Sequence, residues 1–391
     1  MKKQFLDLGK QPIANGFLYK DQIKNEYFYN LGVAFDEDTK LVTQTEYVDP
    51  PLMFNDEYAY RGSMSKTMRD HFKSLSLDLM FEKGTDVKIL EIGSNDGVFI
   101  KHFSPQNTIA VEPCGNFAKE TRDMGYITYP EFWTKKLSDR INEEFGKRDI
   151  IFAANCICHI PNLDETFRAV ESLLEEDGIF IFEDPSLAEV VNNNSYDQIY
   201  DEHPHVFSVI ALDNILRRNG LQVVKVDNLS VHGGSNRIYA QKIGTKIDPS
   251  VDRNKSYERI LGLDKFETFK RFAEKVEQSK KDLIRILTQC KNEGKKVVSY
   301  GASSKSTTVF NYCNIDKTLI SYITDTTPEK QGKLSPGTHI PIITPEEGFN
   351  ESVDFAYLGA WNFIKEISEK ESKYLANGGK FITHVPTVKI I

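Results

Sequence analysis

The chain has 391 residues, 40% of them hydrophobic and 27% charged, with a formal net charge of −8 and a sequence pI near 5.6. That length has room for two or three domains with a core in each, and the acidic balance excludes the basic stripe a nucleic-acid partner requires. No apolar run reaches the roughly 18 residues of a membrane span and the start Met1-Lys2-Lys3-Gln4-Phe5-Leu6-Asp7 lacks the apolar core of a signal peptide, so no membrane contact and a cytoplasmic place are expected.

In chain order, residues 1 to 70 are rich in Tyr and Phe, carry Pro50-Pro51, and read as a small irregular or β-rich cap. From 71 to 250 the pattern becomes strand and helix alternation, with short apolar strands at Lys88–Ile92, Thr108–Glu112, Asp149–Ala154 and Gly178–Glu183 and an amphipathic helix at Asp164–Glu175. This predicts a doubly wound α/β domain whose ligands lie beyond the carboxyl ends of the strands. The first strand runs into Glu91-Ile92-Gly93-Ser94-Asn95-Asp96-Gly97, and Glu112 stands at the tip of the second. Gly93 and Gly97 allow close approach of the backbone to a ligand, and Glu112 is placed to accept hydrogen bonds from two ribose hydroxyls. Asn95 occupies the place where a dinucleotide fingerprint needs a second glycine, and the Glu91 carboxylate beside it repels phosphate and favours a cation. The cofactor that suits this set, with Asn155 after the third strand, is S-adenosylmethionine, which carries an ammonium and a sulfonium and no phosphate. An ordinary buried strand with an Asn-Asp-Gly turn accounts for the glycines but not for the paired acids.

Five cysteines, Cys114, Cys156, Cys158, Cys290 and Cys313, include no Cys-x-x-Cys pair, so neither a disulfide framework nor a structural metal site is expected. Cys156 and Cys158 fall on one expected strand with both side chains on the same face, as small buried hydrophobes. His159 lies at the carboxyl edge of the first sheet, where it donates to an oxyanion, lines the cleft or caps a loop.

Between 187 and 242 the chain concentrates its acid–base groups in Tyr200-Asp201-Glu202-His203-Pro204-His205-Val206-Phe207-Ser208 and in His232-Gly233-Gly234-Ser235-Asn236-Arg237. An imidazole beside a carboxylate that orients it is suited to proton abstraction at neutral pH, which makes His203 with Glu202 the candidate pair. His203 and His205 also have the spacing of a metal pair, but no third ligand can be placed for it. From 251 to 391 the chain opens with charged helices whose apolar positions are Phe266, Phe269, Phe272, Val276, Leu283, Ile286 and Leu287, expected to bridge two domains. A second α/β unit starts at Lys296-Val297-Val298-Ser299-Tyr300, with further strands at Leu319–Thr324, Phe355–Leu358 and Lys380–Thr383. Its first loop, Gly301-Ala302-Ser303-Ser304-Lys305-Ser306-Thr307, offers backbone amides, hydroxyls and one ammonium, which suits either a phosphate or a hydroxyl-rich helix cap.

The blocks Leu90 to Gly97, Tyr200-Asp201-Glu202-His203 with Phe207-Ser208, Val231 to Arg237, and Tyr300-Gly301-Ala302 with Lys305 resemble those of the nucleotide-sugar C-methyltransferases, in the family's order from about Phe5 to the C-terminus. Those enzymes methylate carbon 3 of nucleotide-linked 4-keto-deoxyhexoses. The resemblance implies a small N-terminal cap domain, a central Rossmann-like class I methyltransferase domain, and a second Rossmann-like α/β domain that helps hold the sugar nucleotide. It makes His203 the base with Tyr200 and Glu202 beside it, His159 an active-site histidine, and Tyr60 the N-terminal active-site tyrosine, with Tyr58 as the other register. His232, Ser235, Arg237, Gly301, Ser303, Ser304 and Lys305 become substrate-binding candidates. The implied partner is a nucleotide-linked sugar; O-methylation of a small acceptor and a non-catalytic nucleotide-sugar-binding protein are the other readings, and a monomer is compatible with all three.

The chain departs from the family at two places. The family's N-terminal zinc site uses four cysteines, whereas here no Cys precedes Cys114, and Asp36-Glu37-Asp38-Thr39 stands in place of the second pair; no metal is expected. Pro204-His205-Val206 replaces aromatic residues after the base, which leaves the sugar open.

Overall fold

The computed structural model describes residues 1–350 and 352–391. Strands β1 (Lys2–Pro12), β2 (Phe28–Asp36) and β3 (Val42–Gln44) form an antiparallel meander near the N-terminus. Next come β4 (Ile89–Ile92), β5 (Thr108–Val111), β6 (Ile127–Tyr129), β7 (Arg148–Ala154), β8 (Leu174–Pro185), the two-residue β9 (His205–Val206), β10 (Leu221–Leu229) and β11 (Ser235–Lys242). All but β9 build a seven-stranded sheet in the order β10-β11-β8-β7-β4-β5-β6. Its β8-β7-β4-β5-β6 part is parallel, and β10 and β11 run antiparallel at one edge. This is the Rossmann-like winding expected from the alternation, with a switch of direction between β4 and β7 that opens a crevice at their carboxyl ends. Strand β9 leaves this sheet and pairs with β3, joining the N-terminal sheet to the segment that follows His203.

A second Rossmann-like sheet holds β12 (Val297–Tyr300), β13 (Ile323–Thr324), β14 (Ile342–Ile343), β15 (Phe355–Leu358), β16 (Lys380–Thr383) and β17 (Lys389–Ile390), in the order β14-β13-β12-β15-β16-β17 with only β17 antiparallel. The expected strand Leu319–Thr324 shrinks to its last two residues. The expected strand through Cys158 also fails: β7 ends at Ala154, Asn155 takes φ 48°, and Ile157–His159 coil into a 3-10 turn. Cys156 and Cys158 therefore do not share a strand face.

Helix packing explains the layers. Helix Lys66–Lys83 starts where the Ser65 side chain accepts from the Met68 N–H and stops at Gly84, with φ 89°. It buries Met68, Phe72, Leu75 and Leu79, spaced for one helical face, over Phe152 of the central sheet and Phe99 of the loop after β4. Helix Phe266–Asn292 buries Phe269, Phe272, Val276, Leu283 and Leu287. Phe269 lies between Phe5 of β1 and Phe35 of β2, at centroid distances of 5.1 and 4.8 Å, so the long helix cements the N-terminal sheet to the C-terminal unit.

Candidate functional site

One cavity of about 990 Å³ runs from the β4 loop, past His203, to the loop after β12. At its first end Glu91, Gly93, Asn95, Glu112 and Asn155 line the wall. Gly93 has φ 72°, and a Cβ there would fall 2.7 Å from Cys156 Sγ, so only glycine fits. Gly97 does not line the cavity; its φ of 73° and close neighbours Met124 and Thr121 make it a turn and packing residue, not a point of ligand approach. The Glu112 carboxylate accepts from Asn95 N–H at 2.7 Å and Cys114 N–H at 2.9 Å, which fixes both oxygens while leaving lone pairs toward the cavity. Glu91 is buried and its Oε2 has no partner; burial, with Glu112 and Asp96 adding repulsion, holds its pKa well above the carboxylate range. An unpartnered buried carboxylate on a cavity wall fits a cationic ligand group.

A loop from the N-terminal region closes over this end. Gly62 N–H donates to Asn95 Oδ1 at 2.9 Å, Asn95 Nδ2 donates to the Tyr60 carbonyl at 3.0 Å, and Ser63 N–H donates to Asp96 at 3.1 Å. Gly115 N–H donates to Asp56 at 2.9 Å, and Arg61 forks onto both oxygens of Glu120. Asn95, expected to face a cofactor, thus spends its side chain on the loop.

The middle of the cavity holds a stack of rings. Phe54 lies 5.3 Å from His159, His159 lies 5.1 Å from His203, and His203 packs on Tyr200 at 4.2 Å. His203 Nδ1 is 2.6 Å from the Gln198 carbonyl, so Nδ1 carries the proton and Nε2 keeps the lone pair. Burial, then neighbouring His159, pushes the His203 pKa well below its usual value, and burial takes His159 down to about 3. Both rings are neutral at pH 7. The turn bearing His203 is held from the N-terminal sheet: Gln44 Nε2 donates to the Tyr200 and His203 carbonyls at 2.6 and 2.8 Å.

Glu202 does not orient His203. Its Oε1 accepts from Asn15 Nδ2 at 2.6 Å and its Oε2 from the Tyr58 hydroxyl at 2.8 Å, because neighbouring side chains diverge around the turn closed by His203 N–H on the Tyr200 carbonyl. Tyr58, not Tyr60, is the tyrosine whose hydroxyl meets the acid–base cluster; Tyr60 lines the same cavity but is 47% exposed. His205 turns away as well, with Nδ1 3.0 Å from Thr43 Oγ1 and Nε2 3.2 Å from the Pro161 carbonyl, so the His203–His205 metal pairing does not form.

At the far end lie His232, Gly301, Ser303, Ser304 and Lys305. His232 has φ 53°, and burial, helped by Lys305, lowers its pKa to about 4. The Ser303 hydroxyl caps helix Ser304–Cys313, accepting from Ser306 N–H at 3.1 Å, so its cap role is realised even as the residue borders the cavity. Lys305 Nζ is 3.3 Å from Asn362 Oδ1 and 5.2 Å from the Trp361 ring, and burial lowers its pKa. Ser235 and Arg237 do not reach the cavity. Strand alternation along β11 turns Arg237 toward the helix Lys66–Lys83, where it pairs with Glu183 at 2.6 Å beside His71, and Ser235 donates to the Val231 carbonyl.

Several lining residues escaped the sequence reading. Lys330 borders the cavity with Nζ 2.8 Å from the Ala302 carbonyl, and Asp325 at the tip of β13 accepts from Ala302 N–H at 2.7 Å. Asp325 stands after β13 as Glu112 stands after β5, so the rule that found Glu112 points to it as well. Asn15, Gln44 and Lys330 have no such local signal, since they reach the site only through the packing of the domains.

Family models match the chain in three segments: a zinc binding domain over residues 1–54, a methyltransferase domain over 60–226 and a C-methyltransferase C-terminal domain over 230–386. The C-methyltransferase NovU of Streptomyces niveus is 31% identical over 394 residues, covering 99% of this chain and 93% of that protein. Among solved structures, a S-adenosylmethionine-dependent methyltransferase from Clostridium acetobutylicum matches 44% of this chain and 92% of its own at 16% identity and a TM-score of 0.34. The CurJ carbon methyltransferase matches 48% of this chain and 57% of its own at 17% identity and 0.36, and at such scores neither bears on function.

Proposed function

The chain belongs to the C-methyltransferase family and uses S-adenosylmethionine, and on that premise we propose that it methylates the carbon next to the carbonyl of a nucleotide-linked keto-deoxy sugar with His203 as base. The observation that carries this reading is the single cavity. It joins an acidic end at Glu91 and Glu112, a neutral imidazole with a free Nε2 at its middle, and two ammonium groups, Lys305 and Lys330, at its other end.

In this reading Glu112 holds the ribose of S-adenosylmethionine, Glu91 faces its cationic amino-acid part, and the Gly93–Asn95 backbone with Asn155 borders it. Bound there, the cofactor supplies an electrophilic methyl group. The chain's own task is the proton. A carbonyl acidifies the adjacent C–H, and His203 Nε2 takes that proton while the Gln198 carbonyl keeps Nδ1–H in place. The resulting imidazolium is buried and finds its counter-charge in the enolate formed beside it. In this reading neutral His159, stacked on His203, donates to the enolate oxygen. Lys305 and Lys330 complement the diphosphate of a sugar nucleotide, and the Asp56–Ser65 loop excludes water from the other end.

The test is the fate of one proton and one methyl group. His203→Ala should keep affinity for S-adenosylhomocysteine and lose about 10²–10⁴-fold in turnover with a 4-keto sugar nucleotide. Because burial lowers the His203 pKa, the neutral base persists as pH falls through the ordinary histidine range. The acid limb of kcat/KM should therefore lie below the ordinary histidine pKa of about 6.5. Near-normal turnover in His203→Ala, or a product with its new methyl on oxygen by NMR, would overturn the reading.

A further inference from the structure

The reaction centre brings His159 and His203, which the proposed chemistry uses, together with Cys158, which it does not, as a set of potential metal ligands. Among the described residues, Cys158 Sγ, a ring nitrogen of His159 and a ring nitrogen of His203 all lie within 4.8 Å of one another. The third ligand is the one that spacing along the chain could not supply, because Cys158 comes from the 3-10 turn after β7 and His203 from the turn held by Gln44. We propose that these three side chains form a binding site for a borderline-soft divalent cation such as zinc, reversible and distinct from any structural zinc of the N-terminal domain.

Three features support it. His159 Nε2 is buried and has no hydrogen-bond partner. The Gln198 carbonyl occupies His203 Nδ1, which aims the lone pair of Nε2 away from that bond, the arrangement in which a backbone carbonyl orients a metal-binding imidazole. Finally, bond lengths of about 2.3 Å for Zn–S and about 2.0–2.1 Å for Zn–N put ligand atoms roughly 3.3–3.6 Å apart in a tetrahedron, so small side-chain rotations close the set. His159 and His203 border the cavity, which leaves the fourth position open to water or a ligand oxygen.

Binding breaks the Cys158 S–H bond and forms a sulfur–metal bond; the proton passes to solvent and nothing is oxidised or reduced. A thiolate with two imidazoles selects zinc, cobalt(II) and cadmium and rejects magnesium. The metal takes the lone pair of His203 Nε2 that the proposed reaction needs. Inhibition by zinc therefore rests on His203 being the base, while the site itself does not.

Cobalt(II) titration of the metal-free, full-length protein tests the site directly. One equivalent should give tetrahedral d–d absorption and a thiolate-to-cobalt charge-transfer band, displaced by zinc and unaffected by millimolar magnesium. Cys158→Ser should lose the band and weaken zinc binding by more than about tenfold, while Cys156→Ser keeps both. No thiolate band in the wild-type protein overturns the site whatever the variants do, and so does a band that survives in Cys158→Ser. Zinc at the occupancy read by cobalt displacement should inhibit turnover of the wild-type enzyme. Full occupancy with undiminished turnover upholds the site and removes His203 as the base.

Discussion

Tyr58 and Tyr60 stand two residues apart on the loop that closes the cavity, and only the first places its hydroxyl on a buried acid. Glu202 is 2% exposed, and burial raises its pKa despite the donors Asn15 and Tyr58. Removing one donor from such a group costs about 1–3 kcal/mol. Tyr58→Phe should therefore reduce kcat/KM about tenfold or more, while Tyr60→Phe, which leaves the Tyr60 carbonyl to Asn95, should change it far less. Steady-state kinetics of the two variants decide the register, and a larger loss in Tyr60→Phe would reverse the assignment. At this scale the sequence was informative where a residue's place follows from a strand and the loop after it. Glu91, Gly93 and Glu112 are such cases. The Glu202–His203 pairing failed for a local reason: two successive residues in a tight turn point apart, so adjacency along the chain predicts opposite partners.

The turn Tyr196–Gln198 is the element that couples His203 to the C-terminal unit. Gln198 anchors His203 through its carbonyl and the His232 carbonyl through its side chain. Beside it, fully buried Asp197 accepts from Trp361 Nε1 at 2.7 Å and lies 3.5 Å from His384 Nε2. Burial opposes its charge, but His384, Lys305 and Trp361 outweigh burial and hold its pKa below the usual carboxylate value. Trp361 in turn lies over Lys305 and against Gly233, where a Cβ would come within 2.4 Å of the ring. Asp197→Ala leaves Trp361 Nε1 without its acceptor and removes the buried carboxylate beside His384, and should cost about 1–3 kcal/mol in urea unfolding. Asp197→Asn keeps an acceptor for Trp361 and should cost less. A loss under about 1 kcal/mol in the alanine variant would show that the turn does not depend on this contact. Strand and helix positions were largely legible, since β15 and β16 begin and end where alternation puts them. That β11 stays out of the cavity was not, because its side chains follow the helix Lys66–Lys83 packed across it, and Arg237 answers to Glu183 on that side.

On the scale of the whole molecule, the N-terminal sheet acts as a brace for the turn that carries His203. Strand β3 pairs with β9, Gln44 holds the carbonyls on either side of Glu202, and Phe35 packs on the long helix that supports β12. The match to a zinc-binding family covers this region, yet residues 1–54 contain neither Cys nor His. The place of the second cysteine pair is a tight turn instead: Asp38 N–H donates to Asp36 at 2.9 Å, Leu41 N–H donates to Thr39 at 3.3 Å, and Lys3 pairs with Glu37 at 2.8 Å. With no metal expected in this sheet, its stability should come from packing, through Leu6, Leu8, Leu31, Val33 and Phe35, each at most 5% exposed. If so, EDTA should leave the melting temperature of the Cys158→Ser variant unchanged, because no folding free energy is then linked to a metal. Zinc added back at levels that fill the Cys158 site should act on turnover far more than on unfolding of the N-terminal sheet. A chelator-induced fall of the melting temperature by several degrees, reversed by zinc and retained in Cys158→Ser, would place a structural metal elsewhere in the fold and remove packing as the account of how this sheet holds.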